Sequence, residues 1–564
     1  MLLAMQPTTA TPSTTTEERI ASLEAAVVSL TAERDRLTVE RDKLRASHER
    51  LRLELELLRR RIFVATAERV DTAQLELEFA AKLAELDKLG GAPPKGADGA
   101  EPRKGKKKPT GRRDLCKVPL EEERVEITDP LFEGLVAEGK AERIGHEESA
   151  KLAYKRGGLR RLIVARVKYR AVDARGEARI ETAAMPPECF PRSMAAPSLL
   201  AKILTDKYCD GLPLNRIEDR FARDGAGIDR GTMCRWVEDA GATAGATVIA
   251  AAREEAISTA FCIATDATGV AVQPIPSHEK KRQACRRGHY FVLIADRDHV
   301  FFEYTPKENS DVVAEMFRGY EGYVQADAKS VYDVLFREPE DEPPDDGVRQ
   351  EVGCWSHCRR KFWEATITKS VVGREGLARA GRIFALDAGW KGKPPAEIQR
   401  LRQAHLRPHL EAFFAWADEE YARVRDQRGI LRSALGYAVR QKGALMRVLD
   451  DGRLVLDNNR SERELRRIAT GRNAWLFVGS DDHAQAAGHV FSLIASARLH
   501  RLDPEAYLRD LFRVLAHWPS DRYLELAPKY WAATRARLDE AELAREVGFL
   551  TVPPMLAKEQ APPG

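Results

Sequence analysis

No uninterrupted apolar run of about 18 residues, the length a helix needs to cross a bilayer, occurs anywhere in the 564 residues, so no membrane span is expected. There is no C-x-x-C pair either. The eight cysteines (Cys116, Cys189, Cys209, Cys234, Cys262, Cys285, Cys354 and Cys358) are scattered through a chain far too long for a disulfide scaffold. That usage points to a reducing compartment and an intracellular protein. The opening MLLAMQPTTATPSTTT lacks a basic region followed by a long apolar run and makes a poor signal peptide. Nor is there a global excess of charge. Lys and Arg number 91 against 87 Asp and Glu, a net +4, so any affinity for nucleic acid must come from local clusters.

What the chain does have, first, is a heptad repeat. Leu23, Leu30, Leu37, Leu44, Leu51 and Leu58 recur every seven residues, with Ile20, Val27, Arg34, Arg41, His48, Leu55 and Ile62 at the companion positions. This reads as a coiled coil, a leucine zipper over 17–62, whose polar middle restricts register. Glu40 with Arg45 and Glu54 with Arg59 have the spacing that bridges parallel helices, so a homodimer or higher oligomer is expected through this segment. Residues 1–16 are expected to be disordered, and helix continues from the zipper to residue 89. Residues 90–113 are rich in Gly, Pro and Lys, have nothing apolar to bury, and read as a basic flexible linker.

Residues 114–195 read as a small β-rich unit, with strands at Arg124–Ile127 and Leu162–Tyr169. Over 196–250, LPLNRIEDRFARDG, a break at Gly225–Gly227 and IDRGTMCRWVEDA outline a helix-turn-helix. Arg230, Thr232 and Arg235 fall near the start of its second helix, where base edges would be read. An α/β unit follows over 251–515. An apolar strand at Ala260–Ala264 leads to Asp266 and a loop at Ala267–Gly269, and Gly322–Asp327 is a strand ending in a second aspartate. An unpaired buried carboxylate costs several kcal/mol, so strand ends do not carry aspartates by default. Either alone could cap a helix; together they point to metal ligation.

Glu351–Ala365 reads as a strand running into a helix, with Trp355, Phe362 and Trp363 on an apolar face and Arg359, Arg360 and Lys361 facing phosphate. Cys354, His357 and Cys358 lack a fourth partner for zinc. Residues 366–446 are amphipathic helices, an all-α insertion, and 516–564 a C-terminal tail. In LVLDNNRSERELRRIATGRNAWLFVGS (Leu454–Ser480), Ser461 and Glu464 have capping-box spacing, which leaves Glu462 free. Arg463, Arg466, Arg467 and, further along, Arg472 suit phosphate contacts. A solvated helix start is the bland reading. Beside Asp266 and Asp327, Glu462 becomes the third carboxylate of a two-metal phosphodiester site.

The segments DATGV at Asp266, GYVQAD ending at Asp327, GCWSHCRRKF, DGRLVLDNNRSERELRR, WLFVGS and LDPEAYLRDLF resemble those of the insertion-sequence-66 family of transposases. LLAKILTDKYCDGLPLNRIEDRF extends the likeness upstream. The resemblance implies a DDE enzyme, an α/β multidomain chain whose RNase H-like catalytic core is interrupted by the helical insertion. It implies that Asp266, Asp327 and Glu462 are both catalytic and metal-binding, with Mg2+ or Mn2+ in a two-metal site. The expected partners are DNA, as the element's terminal inverted repeats and target, and accessory proteins encoded by the same element, in a bacterial cytoplasm at the nucleoid. The family's zinc-finger-like region carries paired cysteines. Here Leu115–Glu177 has only Cys116, so no structural zinc is expected. Ala267 stands where the family has glycine, and GRNAW lacks its usual lysine. A catalytically inactive dimeric DNA-binding regulator derived from a transposase is the alternative.

Overall fold

The computed structural model describes residues 120–155, 158–172, 178–191, 193–274, 284–336, 349–367 and 370–555, together with Glu33, Arg34 and Arg36, which are helical. Apart from those three residues, the expected coiled coil lies outside the described residues, as does the linker. Among the described residues no helix is long and apolar enough to cross a membrane. The described residues are of mixed α/β class, with two sheets and many helices.

Strands β1 (Glu121–Ile127), β2 (Ala141–Lys155), β3 (Gly158–Val172) and β4 (Ala178–Thr182) form the first sheet. β3 is central because its apolar residues are many enough to bury: Leu162, Val164, Val167 and Tyr169 are fully inaccessible. β2 runs antiparallel along its whole length, while β1 (parallel) and β4 (antiparallel) share its other edge. Helix α1 (Pro130–Ala137), capped by Asp129, stacks Phe132 on Tyr169 with ring centroids 5.3 Å apart. Both expected strands lie inside β1 and β3. β2 carries AERIGHEES, exposed along most of its length, and so lacks the alternation by which a half-buried strand is read.

Helices α2 (Pro197–Tyr208), α3 (Leu214–Arg223) and α4 (Arg230–Ala240) follow, and α4 passes through a wider π turn at Gly241–Gly245 into α5 (Ala246–Thr259). Phe221, Met233 and Val237 bury the facing sides of α3 and α4, and Asp229 caps α4 by accepting from the N–H groups of Gly231 (2.8 Å) and Thr232 (3.2 Å).

The second sheet has the order β7-β6-β5-β8-β9, from β5 (Cys262–Val272), β6 (Arg286–Ala295), β7 (His299–Thr305), β8 (Gly322–Ala326) and β9 (Arg349–Gly353). The first three strands pair antiparallel and β8 and β9 join parallel to β5; α6 (Ser310–Met316) lies in the crossover to β8. β5 does not give way to a loop after Asp266. β6 pairs with it from Ile263 to Val272, so the expected loop at Ala267–Gly269 is strand. Edge strand β7 is sealed by the helix Asp481–Leu499. Ser492 and Ser496 accept hydrogen bonds from the N–H groups of Phe302 (2.7 Å) and Val300 (2.9 Å). Four helical residues advance about 6 Å and two strand residues about 6.8 Å, so the pairs match. A Cβ on Gly488, one turn earlier, would stand 2.5 Å from Phe302 O.

Helices α7 (Trp355–Ile367), α8 (Val371–Ala388), α9 (Pro395–Leu401), α10 (Arg407–Val424), α11 (Ile430–Arg440) and α12 (Lys442–Met446) build a second core around Trp355, Phe362, Leu410, Phe413, Leu435 and Leu445. Buried Arg402 ties this layer to the next segment, donating to the carbonyls of Val448 (3.0 Å) and Leu454 (2.8 Å). Helices α13 (Asn459–Trp475), α14 (Asp481–Leu499), α15 (Pro504–Val514), α16 (Pro528–Arg535) and α17 (Glu540–Ala544) complete the chain. The last residues pack too: Leu526, Trp531, Leu538 and Leu543 join the main core.

Candidate active site

Parallel pairing of β5 with β8 sets the first two carboxylates. Ile263 is opposite Val324 and Ala264 opposite Gln325, so continuing the register by two residues puts Asp266 level with Asp327. Asp327 stands one residue beyond β8. Both side chains are 16% exposed. Asp266 Oδ1 accepts from the Ala267 N–H at 2.7 Å, yet burial, and then the charge of Asp327, push its carboxyl up to about 6. Asp327 Oδ1 is buried without a hydrogen-bond partner. Lys329 Nζ is the compensating charge, at 3.9 Å from Asp266 Oδ1, 3.7 Å from Asp327 Oδ2 and 3.6 Å from Glu308 Oε1. Burial works against that ammonium, but the three carboxylates hold its pKa above the usual lysine value.

The segment before α13 threads across the sheet and ties the start of that helix to β5 and β8. Gln325 Nε2 donates to Val455 O (2.8 Å), Trp355 N–H to Leu456 O (2.8 Å), and Asn458 N–H to Cys354 Sγ (3.3 Å). Asn458, 1% exposed, donates from Nδ2 to Thr265 O at 2.7 Å, one residue before Asp266. Ser461 Oγ donates back to Asn458 Oδ1 at 2.6 Å. Asn458 therefore stands at the N-cap, and the expected Ser461–Glu464 capping box does not form. Glu464 binds Arg467 at 2.7 Å instead. Glu462, in the first turn, has Oε1 3.7 Å from His357 Nε2, and the charge of His357 also reaches Asp266. The far end of α13 is fixed as well: Arg472 donates to Gly269 O (2.7 Å), and Val478 bridges Val272 of β5.

Among the described residues no three His, Cys, Asp or Glu are grouped closely enough to hold a metal as they stand. The local chemistry nevertheless fits a divalent cation. The donors are hard oxygens, one is orphaned, and a lysine ammonium stands between the two aspartates.

A family model described as "Transposase IS66 family" matches residues 192–486, more than half of the chain, and "IS66 C-terminal element" matches residues 492–528. The chain belongs to the IS66 family of transposases. It is similar to three proteins of Sinorhizobium fredii (strain NBRC 101917 / NGR234). "Uncharacterized protein y4qI" is 26% identical over 471 residues, 82% of each chain. "Uncharacterized protein y4hP" is 26% identical over 497 residues, 84% of this chain and 86% of the relative. "Uncharacterized protein y4jD" is 24% identical over 355 residues, 60% and 67%.

In this IS66-family chain the basic residues singled out from the sequence divide into two groups. Arg463 and Arg466 on α13, Arg359 and Arg360 on α7, and Arg230 and Arg235 on α4 are exposed. Arg467 and Arg472 are engaged inside the protein, Lys361 lies over the Tyr437 ring at 5.2 Å, and Thr232 accepts from Arg235 at 3.2 Å. Of the aromatics expected on the buried face of α7, Trp355 and Phe362 are buried but Trp363 is 54% exposed. Its position on the helix sends it away from the second core. The sequence reading missed Lys329, Glu308 and Asn458. Lys329 was visible only as a cation two residues after Asp327. Asn458 was visible only as a polar residue in a stretch that has to cross buried strand ends.

Proposed function

We propose that the protein is a DDE transposase that cleaves DNA at its element's ends and joins those ends to target DNA, with Asp266, Asp327 and Glu462 as the catalytic carboxylates. The observation that carries this reading is the pairing of two buried aspartates on adjacent strands. β5 and β8 bring Asp266 level with Asp327, and Asn458 ties the start of α13 to β5, with Glu462 Oε1 3.7 Å from His357 Nε2. A sheet of three antiparallel strands joined by two parallel ones, in the order β7-β6-β5-β8-β9, supports an RNase H-like core.

Asp266, Asp327 and Glu462 are the residues that would hold Mg2+ or Mn2+. A bound metal pair supplies an activated water or hydroxyl nucleophile and stabilises the leaving oxygen. Lys329 keeps the aspartates together by sharing its ammonium between them, and is free to turn to a DNA phosphate when they are otherwise neutralised. Arg463, Arg466, Arg359 and Arg360 are proposed to hold the DNA backbone, with Lys361 behind them; Arg467 and Arg472 position α13. α3 and α4 act as a helix-turn-helix reading the terminal inverted repeats through Arg230, Thr232 and Arg235. The zipper at 17–62 pairs two copies for synapsis, at the nucleoid of a bacterial cytoplasm.

The test uses purified full-length protein, a DNA fragment bearing an element end, and Mn2+. Asp266→Ala, Asp327→Ala and Glu462→Ala each abolish cleavage while leaving end binding intact, and Glu464→Ala keeps cleavage within about tenfold of the parent, as expected of a group outside the chemistry. Cleavage retained by any of the three carboxylate variants sinks the assignment. A parent protein that binds ends but never cuts supports the regulator instead.

A further inference from the structure

Cys234 and Glu238 lie one turn apart on α4 and grip the ring of His483, at the start of α14, from two sides. Cys234 Sγ is 3.0 Å from His483 Nε2, and His483 Nδ1 is 2.8 Å from Glu238 Oε2. A carboxylate only accepts hydrogen bonds, so Nδ1 carries the proton and Nε2 offers its lone pair to the thiol. Nucleophile, base and orienting acid thus stand in line, the arrangement by which an imidazole activates a thiol. The groups facing the sulfur include Lys207 and Tyr208 of α2, Glu238 and Arg235 of α4, and His483 of α14. Burial, aided by Glu238, raises the thiol's pKa while Lys207 and Arg235 oppose it, so the resting group is the protonated thiol that a neighbouring base is needed to activate. Cys234 is half-buried rather than sealed, and none of these residues belongs to the carboxylate site.

We infer that Cys234 is a base-activated nucleophilic thiol, a modification site for small electrophiles, with hydroperoxides as the oxidant class that suits so confined a sulfur. With hydrogen peroxide the S–O bond forms as the O–O bond breaks. The thiol proton passes through His483 Nε2 to the departing hydroxide, which leaves as water. Sulfur loses two electrons, giving sulfenic acid, and the peroxide gains them. The site lies where the α4 segment meets α14 at backbone contact: a Cβ on Gly241 would stand 2.2 Å from Ala486 O, and His489 Nδ1 is 3.0 Å from Gly241 O. An added oxygen therefore acts on that helix junction.

The experiment labels native full-length protein with limiting iodoacetamide and follows each cysteine by peptide mapping. A parallel arm uses hydrogen peroxide with dimedone trapping. Cys234 is expected to react about tenfold or more faster than Cys209, which is also half-buried, and to lose that advantage in urea. His483→Asn removes the advantage and Glu238→Gln reduces it by a smaller factor. Equal native rates for Cys234 and Cys209 overturn the proposal, as does an undiminished rate in a folded His483→Asn protein. Should that variant not fold, the native comparison of the two cysteines decides alone.

Discussion

Glu255 on α5 and Asp266 on β5 are eleven residues apart and about equally buried, at 12% and 16% side-chain exposure, yet their carboxyls move in opposite directions. Burial pushes Glu255 up, but the protein overcomes it and holds the group down at about 2. His299 Nε2 is at 2.7 Å, the Tyr530 hydroxyl donates to it, and Lys529 Nζ is at 3.2 Å. Lys529 also meets Asp298 at 2.8 Å, so this cluster fastens the C-terminal α16 to α5 and to the β6–β7 turn. Asp266 gets one backbone N–H and a share of one lysine, and it faces another carboxylate. A carboxylate that holds the fold together is given its partners by the chain. One left short of them on a buried strand is open to a partner from outside the chain.

The largest effects test this division directly. Asp266→Asn is expected to lower metal-dependent cleavage at least about a thousandfold, since a metal ligand set contributes several kcal/mol to the transition state. It should not lower the melting temperature of chelated protein. Glu255→Gln is expected to do the reverse. Cleavage at 25 °C stays within a few-fold of the parent, while unfolding free energy falls by about 3 kcal/mol, because a buried cluster loses its central charge. Urea denaturation read beside an end-cleavage assay checks both, and the comparison breaks if Asp266→Asn unfolds as readily as Glu255→Gln.

The candidate carboxylates stand out in the sequence itself. Asp266, Asp327 and Glu462 are picked out because carboxylates following apolar strand segments and in an arginine-rich helix start are improbable residues for those places. What sequence could not supply was their company. Lys329 meets Asp266, and Glu308 meets Lys329, only through the register of β5 with β8 and the path that follows β7. The capping box failed for a related reason. Ser-x-x-Glu is a local pattern, and Asn458 outcompetes it by reaching a carbonyl 193 residues away. Likewise the sealing of the β7 edge by Ser492 and Ser496 depends on α14, far along the chain. Only the parts of the fold fixed by neighbours in sequence were open to reading.

The same two carboxylates should give opposite pH signatures, measured on chelated protein between pH 3 and 7. Asp266 has its folded pKa raised from 3.8 to about 6, so the folded state binds the extra proton in that window. Stability on its account falls as pH rises from about 4 to 6, and Asp266→Asn gains up to about 3 kcal/mol over the parent at pH 7 but nothing near pH 3.5. Glu255 has its folded pKa depressed from 4.5 to about 2, so its contribution is complete above about 4.5 and is lost as pH falls towards 2. The gap between parent and Glu255→Gln therefore narrows on acidification, while the gap between parent and Asp266→Asn widens on alkalisation. Parallel slopes would remove the distinction.

The smallest effect concerns Lys329, whose ammonium meets both Asp266 and Asp327. Its side chain is 43% exposed and its contacts with the three carboxylates are 3.6–3.9 Å, so water screens it and its removal should barely move the unfolding midpoint. Its influence falls on the space between the two aspartates. An ammonium there both competes with an incoming cation and repels it, so the two effects of deleting it add rather than cancel. Lys329→Ala is expected to bind Mn2+ roughly threefold more tightly by calorimetry, a modest gain because the pair is partly solvated. Lys529→Ala, which strips the corresponding cation from Glu255, should leave Mn2+ binding unchanged and lower stability instead. Tighter binding in both variants would mean that any lysine near a carboxylate tunes the metal. Tighter binding in Lys329→Ala alone ties the effect to the paired aspartates that the lysine bridges.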